Sequence, residues 1–265
     1  MVEIIRNPSI EQVYEVITQG FVDYYVDVTL TLDEFRERFF DFDKNELRYS
    51  AVALEGDEVV GAILGGVKQY GEETVFRCGA LAIIPAHRKH GVGQLLLDDQ
   101  EELVAELGAT HILEVIQANE PALAFYKKNG FRVLRDIHYF TSPKHGVPSE
   151  SKWQPASATD FEELLHGRPF WQHDAYAAEA RGASYYRFED EGKYAVVAMH
   201  GNKILNIVAN TEDGRFVAWG LSQLGSELEL ALDSERPLAI KLHQMGWNVS
   251  SIRQHEMVKE ASGEE

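Results

Sequence analysis

The chain has 265 residues, 45% apolar and 26% charged, the balance of a soluble globular protein of one large domain or two ordinary ones. Asp and Glu number 43 against 25 Lys and Arg, a net charge of −18, which excludes nucleic acid as the expected partner because phosphate backbones demand basic surface. No apolar run is long enough to span a bilayer, the start "MVEIIRNPSI" is too short in its apolar stretch for a signal peptide, and the lone Cys78 rules out an internal disulfide framework, so a cytoplasmic protein away from membranes is expected.

In chain order, "EIIR" reads as a short strand. "SIEQVYEVITQG" is a helix opened by the capping-box pair Ser9 and Gln12, and "TLDEFRERFFDF" is a second one opened by Thr31 and Glu34. "YSAVALEGDEVVGAILGGV" is a hairpin around Glu55-Gly56-Asp57. "TVFRCGALAIIP" is a longer strand stopped by Pro85, and Gly79 inside it marks a bulge or a close backbone approach. "VGQLLLDDQEELVAELG" is an amphipathic helix ended by Gly108. "THILEVIQ" is a strand, "EPALAFYKKNG" a helix and "FRVLRDIHYF" a strand.

Residues 143–158, with their prolines and polar residues, are expected to be a linker between a first domain at 1–142 and a second at 159–265. The second half repeats the element order of the first: helix, three strands, helix, strand, helix, strand. "PALAFYKKNGF" lies over "PLAIKLHQMGW", which sets Pro121 on Pro237, Gly130 on Gly246 and Phe131 on Trp247.

The segment "HRKHGVGQ" is a basic knot in an acidic chain, and it sits between a strand and a helix. A glycine turn there aims free backbone N–H groups and the positive end of a helix dipole at whatever lies above, and glycine lets a bulky anion come close. Arg88, Lys89 and His90 add charge beside Gly91, Val92, Gly93 and Gln94, the composition of a diphosphate cradle. The other reading is a glycine-rich turn with solvated charges. Neither G-x-x-x-x-G-K-[ST] nor G-x-G-x-x-G is present.

The stretch "LAIIPAHRKHGVGQLLL…LEVIQANEPALAFYKKNGF" resembles the GCN5-related N-acetyltransferase (GNAT) family. Arg88, Gly91 and Gly93 fit its acetyl-CoA motif, and Asn119, Tyr126, Gly130 and Phe131 fit its second signature. The resemblance implies an α/β (α+β) tandem acyl-CoA N-acyltransferase fold, with a mixed twisted sheet flanked by helices in each half. It implies acetyl-CoA as donor, an amine as acceptor and direct transfer with no acyl-enzyme. Leu81, Ala82 and Ile83 would then pair with the pantetheine and the turn would bind the pyrophosphate. Tyr126 is the expected general acid for the departing thiolate, and Asn119 a partner of the pantetheine amide or a helix N-cap. Phe125, beside Tyr126, is expected to be the core residue of the two. Glu114 is one candidate general base; Glu72 and Glu73, acting through water, are others. Cys78 is not needed as a nucleophile, and no spacing indicates a metal site. A non-catalytic acyl-CoA sensor is the alternative.

The second half departs from the motif. Glu212 and Asp213 stand where the first half has Arg88 and Lys89, Gly214 is the only glycine, and Tyr126 falls on Leu242. It reads as a degenerate acetyltransferase domain without cofactor binding, offering a wall of the acceptor pocket or the surface of a homodimer.

Overall fold

A computed structural model describes residues 1–26, 28–144, 152–165 and 167–260. The elements run β1 (Val2–Arg6), α1 (Ile10–Gly20), α2 (Leu32–Phe35), β2 (Ala51–Glu55), β3 (Glu58–Tyr70), β4 (Glu73–Ile83), α3 (Val92–Leu107), β5 (Thr110–Ile116), α4 (Glu120–Lys128) and β6 (Arg132–Thr141). They continue with β7 (Trp153–Ala156), α5 (Ala158–Glu162), α6 (Ala175–Ala180), β8 (Ser184–Asp190), β9 (Lys193–His200), β10 (Lys203–Ala209), α7 (Gly214–Leu224), β11 (Glu229–Asp233), α8 (Pro237–Gln244) and β12 (Asn248–Lys259).

Local chemistry sets the element starts. Ser9 and Gln12 form a reciprocal capping box on α1, and Thr31 and Glu34 form one on α2. A π-helical segment, Arg36–Phe42, follows α2 where the sequence predicts a plain α-helix. Part of the predicted linker is a strand, since β7 pairs antiparallel with β8; residues 145–151 of it lie outside the described part.

The chain folds into two compact units. One comprises Met1–Val115, Ala124–Arg132 and Met257–Glu265; the other comprises Ile116–Leu123 and Val133–Glu256. These are not the sequential halves that the sequence predicts. Strand β6, which follows α4 of the first half, pairs antiparallel with β11 and so completes the second unit. Residues 257–260, in turn, belong to the first unit. Alternation along a strand records which face is buried but not which neighbour it pairs with, so the sequence reading keeps β6 in the first half.

Each unit nevertheless repeats one plan. In the first, β1, β2, β3 and β4 pair antiparallel in order and β4 pairs parallel with β5. In the second, β7, β8, β9 and β10 pair antiparallel in order and β10 pairs parallel with β11. The paired glycines agree as well: Gly130 and Gly246 close α4 and α8 with φ of 87° and 82°. Both are followed by a buried aromatic, Phe131 at 3% exposure and Trp247 at 4%. The second unit's core gathers Trp153, Phe188, Phe216, Leu221, Leu242 and Trp247 among others. Among the described residues no helix is long and apolar enough to cross a membrane.

Candidate active site

Strands β4 and β5 pair only through Val75–Thr110, Phe76–His111, Arg77–Ile112 and Cys78–Leu113. Beyond Cys78 they part. On the opposite side β4 stays in register with β3, where Leu81 faces Ile63, Ala82 faces Ala62 and Ile83 faces Gly61. The β5-facing backbone of Leu81, Ala82 and Ile83 therefore has no ladder partner on β5, and it is an edge ready to accept an extended ligand.

The parting starts at a bulge. The β3–β4 register steps from Leu64–Ala80 to Gly65–Cys78, leaving Gly79 as the extra residue. A Cβ on Gly79 would lie 1.9 Å from Asn45 Oδ1. Asn45 is 3% exposed and donates from Nδ2 to the Phe39 carbonyl at 2.7 Å, while its Oδ1 is buried without a hydrogen-bond partner among the described residues. The sequence reading missed Asn45. Its only trace was the glycine inside β4, which reports that something occupies the space of a side chain.

Tyr126 on α4 is 8% exposed and lies close enough to Cys78, beside the bulge, for the two groups to interact electrostatically. Its ring meets Phe131 edge-on at 5.7 Å. Burial pushes the Tyr126 phenol well above its ordinary value of 10.0, so it stays protonated at neutral pH. Burial likewise pushes the Cys78 thiol up to about 12, which leaves no thiolate for nucleophilic attack. The expectation that Phe125 is the core residue is reversed: Phe125 is half-buried and Tyr126 is buried.

The turn into α3 has a cradle's geometry. Lys89 and Gly91 adopt left-handed backbone, with φ of 66° and 84°, and Gly91 is the N-cap of α3 with no side-chain cap. Nothing lies within 4 Å of a Cβ built on Gly91, so conformation and not space asks for glycine there. Among the described residues the N–H groups of Lys89, His90, Gly91, Val92 and Gly93 have no backbone acceptor, whereas Gln94 N–H turns back to the Gly91 carbonyl at 3.0 Å. The Gln94 side chain bonds Asp98 and Asn129. Lys89 and His90 are exposed beside the turn.

Arg88 departs from its expected place among the phosphate-binding charges. Its guanidinium grips Asp23 and also donates to the carbonyls of Gly20 at 2.9 Å and Ile83 at 3.2 Å. Gly20 permits this approach, because a Cβ there would meet the Ala82 Cβ at 2.9 Å. Arg88 thus anchors the end of α1 against β4.

Glu114 lies in a buried ion pair. Its Oε2 accepts from Arg77 Nε at 2.7 Å, both side chains are less than a tenth exposed (6% and 7%), and Asp43 stands 4.0 Å from Arg77 Nη1. A carboxylate committed to a buried guanidinium balances charge, and that arrangement gives a base role no support. Glu72 and Glu73 sit at the tip of the β3–β4 hairpin, seven and six residues from Gly79 and therefore roughly 20 Å along the strand. Asn119 caps α4, its side-chain oxygen accepting from Ala122 N–H at 3.3 Å. No group of His, Cys, Asp or Glu among the described residues is arranged to hold a metal.

The second unit has the same parting with different chemistry. Strands β10 and β11 pair only at Lys203–Glu229 and Ile204–Leu230, and a register step between Ile204 and Asn206 leaves Leu205 bulged where the first unit has Gly79. The N-cap of α7 is Asp213, whose carboxylate accepts from Arg215 N–H at 3.0 Å and Phe216 N–H at 3.4 Å and pairs with Lys193 at 2.8 Å. Gly214 serves packing, since a Cβ on it would lie 2.7 Å from the Pro237 carbonyl oxygen. Leu242, at the position matching Tyr126, is fully buried.

Residues 10–131 match the acetyltransferase (GNAT) family. The Bacillus subtilis (strain 168) protein Uncharacterized N-acetyltransferase YjcF is 30% identical over 98 residues, which are 37% of this chain and 63% of that one. A GCN5-related N-acetyltransferase from Sphaerobacter thermophilus superposes with a TM-score of 0.67 at 16% identity over 99% of this chain and 96% of its own. A tandem GNAT protein from the clavulanic acid biosynthesis pathway gives 0.66 at 16% identity, with all of both chains covered. The fold is that of these two proteins.

Proposed function

Because residues 10–131 belong to the acetyltransferase (GNAT) family, whose members transfer acyl groups from CoA, we propose that this chain moves an acetyl group from acetyl-CoA directly to a primary amine. The observation that carries the reading is the convergence of three features at the parting of β4 and β5. They are a strand edge without a partner, a row of backbone N–H groups without acceptors, and a buried neutral phenol beside the bulge.

The residues present fit the donor. N–H groups from Lys89 to Gly93 at the α3 N-terminus would hold the pyrophosphate, and the free edge of Leu81, Ala82 and Ile83 would pair with the pantetheine. When bound, acetyl-CoA supplies the activated thioester. Tyr126, kept neutral by burial, gives its proton to the departing thiolate. Cys78 and Tyr126 form no acyl intermediate in this scheme, because a protonated buried thiol is a poor nucleophile.

Incubation of the purified chain with acetyl-CoA and a panel of amines, read by mass spectrometry, tests the proposal. The panel should include small molecules, peptides with free N-termini and lysine peptides. An acetylated amine that disappears in Tyr126→Phe is the expected result. CoA binding without transfer to any amine would place the chain among acyl-CoA sensors.

A further inference from the structure

The second unit encloses a cavity of about 640 Å³ at its own parting of strands. Leu165, Phe170, Ile207, Val208, Val217 and Leu238 give it apolar walls. Three arginines, Arg135, Arg168 and Arg236, line it too.

Two of the three share one carboxylate. Glu256, 0% exposed, accepts from Arg135 Nε at 2.5 Å and from Arg168 Nη1 at 2.5 Å. Arg135 also lies over the Phe170 ring, 4.3 Å from its centroid, and its Nη2 is buried with no hydrogen-bond partner among the described residues. Arg236 makes no side-chain hydrogen bond or ion pair among the described residues. Its side chain is solvent-accessible, yet the concave wall around it desolvates the guanidinium enough to lower its pKa, outweighing the nearby Asp233. Both descriptions hold for a group facing the inside of an open cavity. Two carboxylates line the cavity. Asp233 Oδ1 accepts from Glu235 N–H at 3.0 Å, and Glu212 is exposed.

A buried guanidinium N–H without an acceptor, as at Arg135 Nη2 among the described residues, is unfavourable, and an oxyanion relieves it. Guanidinium forks match carboxylate and phosphate geometry. The backbone amides of the α7 N-terminus are not available for that task, because Asp213 already occupies them. We infer that the cavity binds a small molecule with an oxyanion head, carboxylate or phosphate monoester, and an apolar body, with Arg236 and Arg135 on the head, at a site separate from the acetyl-CoA site. This inference does not depend on the acetyltransferase reading.

Calorimetric titration of the full chain, saturated with CoA, tests it with hexanoate and hexyl phosphate as probes and hexanol and hexylamine as controls. One equivalent of an anionic probe should bind, and whichever binds tighter names the head group. Arg236→Gln should weaken that binding about ten- to hundred-fold, the worth of a charge-assisted hydrogen bond, and Arg236→Lys by less. An unchanged circular-dichroism spectrum and a single thermal transition show that each variant is folded. If Arg236→Gln does not fold, Arg236→Lys alone decides, since it keeps the charge and loses the fork. The inference is overturned if neither anion binds at millimolar concentration, if hexanol binds as tightly as the anions, or if the folded Arg236 variants bind the probe undiminished.

Discussion

Arg88 grips Asp23 with both terminal nitrogens, each 2.7 Å from a carboxylate oxygen. The motif arginine thereby ties the end of α1 to the strand that carries the site, and its charge is spent on Asp23 before any phosphate arrives. Arg88→Gln and Asp23→Asn should therefore raise the KM for acetyl-CoA by similar factors, a few-fold at most because the pair is largely exposed. The double variant should add little to either, since both remove one interaction. A large loss in Arg88→Gln with none in Asp23→Asn would return Arg88 to the phosphate.

At the turn, backbone shape matters more than side-chain charge. Gly91 holds φ at 84° with free space around it, so Gly91→Ala adds strain of about 1–2 kcal/mol without a clash. Gly91→Glu adds a carboxylate beside the free N–H groups as well. The expected order of acetyl-CoA affinity is wild type, then Gly91→Ala, then Gly91→Glu, read by calorimetry. Equal affinities in all three would remove the turn from the binding site.

Tyr126→Phe deletes only the buried hydroxyl. A general acid typically contributes ~10²–10⁴-fold, so kcat should fall by that order while the Kd for acetyl-CoA stays nearly constant. Cys78→Ala removes the neighbouring thiol and should leave most of the turnover. A reversed pattern, with Cys78→Ala the inactive variant, would make the thiol the reacting group.

Local features of this chain were readable because their causes are local. Both capping boxes, the helix end at Gly108 and the Gly79 bulge follow from residues within a few positions of each other. The shape of the turn was readable where it is set by backbone, as at Gly91, whose left-handed φ of 84° only glycine adopts freely. The site was not readable where a side chain had to choose a partner far away in sequence. Arg88 finds Asp23 across 65 positions, Glu114 finds Arg77 across 37, and Asn45 fills the gap at Gly79. The exchange of β6 into the second unit is the same failure at the scale of a strand.

The Cys78 thiol gives the fold an alkaline limit. Its pKa is raised by burial from 9.0 to about 12, so the folded chain keeps a proton that the unfolded chain releases from about pH 9 upward. Stability tied to this group is complete below pH 9 and declines between pH 9 and about 12, by up to ~1.4 kcal/mol per pH unit. Denaturant unfolding across that window should show a shallower decline in Cys78→Ala than in the wild type. Parallel curves would mean that the thiol does not titrate between the two states.

The two units should differ in what they bind at the helix that follows the parted strand. In the first, α3 begins at Gly91 with no side-chain cap, and its outward N–H groups lack acceptors among the described residues. In the second, Asp213 caps α7, taking the N–H groups of Arg215 and Phe216, and Lys193 holds the carboxylate in place. The pKa of Asp213 is lowered first by Lys193 and then by those amides, so the carboxylate is charged at neutral pH and opposes a diphosphate at the same spot. Removing it does not supply what the turn lacks. Gly214 is pressed against the Pro237 carbonyl, and Glu212 stays beside the turn. Titration with acetyl-CoA should therefore saturate at one equivalent per chain, both in the wild type and in Asp213→Gly. That variant should instead melt at a lower temperature, because α7 loses its cap, and the loss should shrink as pH falls through the Asp213 pKa, where the wild-type cap is itself neutralised. Two equivalents in the wild type would mean that the second unit binds the donor by groups other than its helix N-terminus.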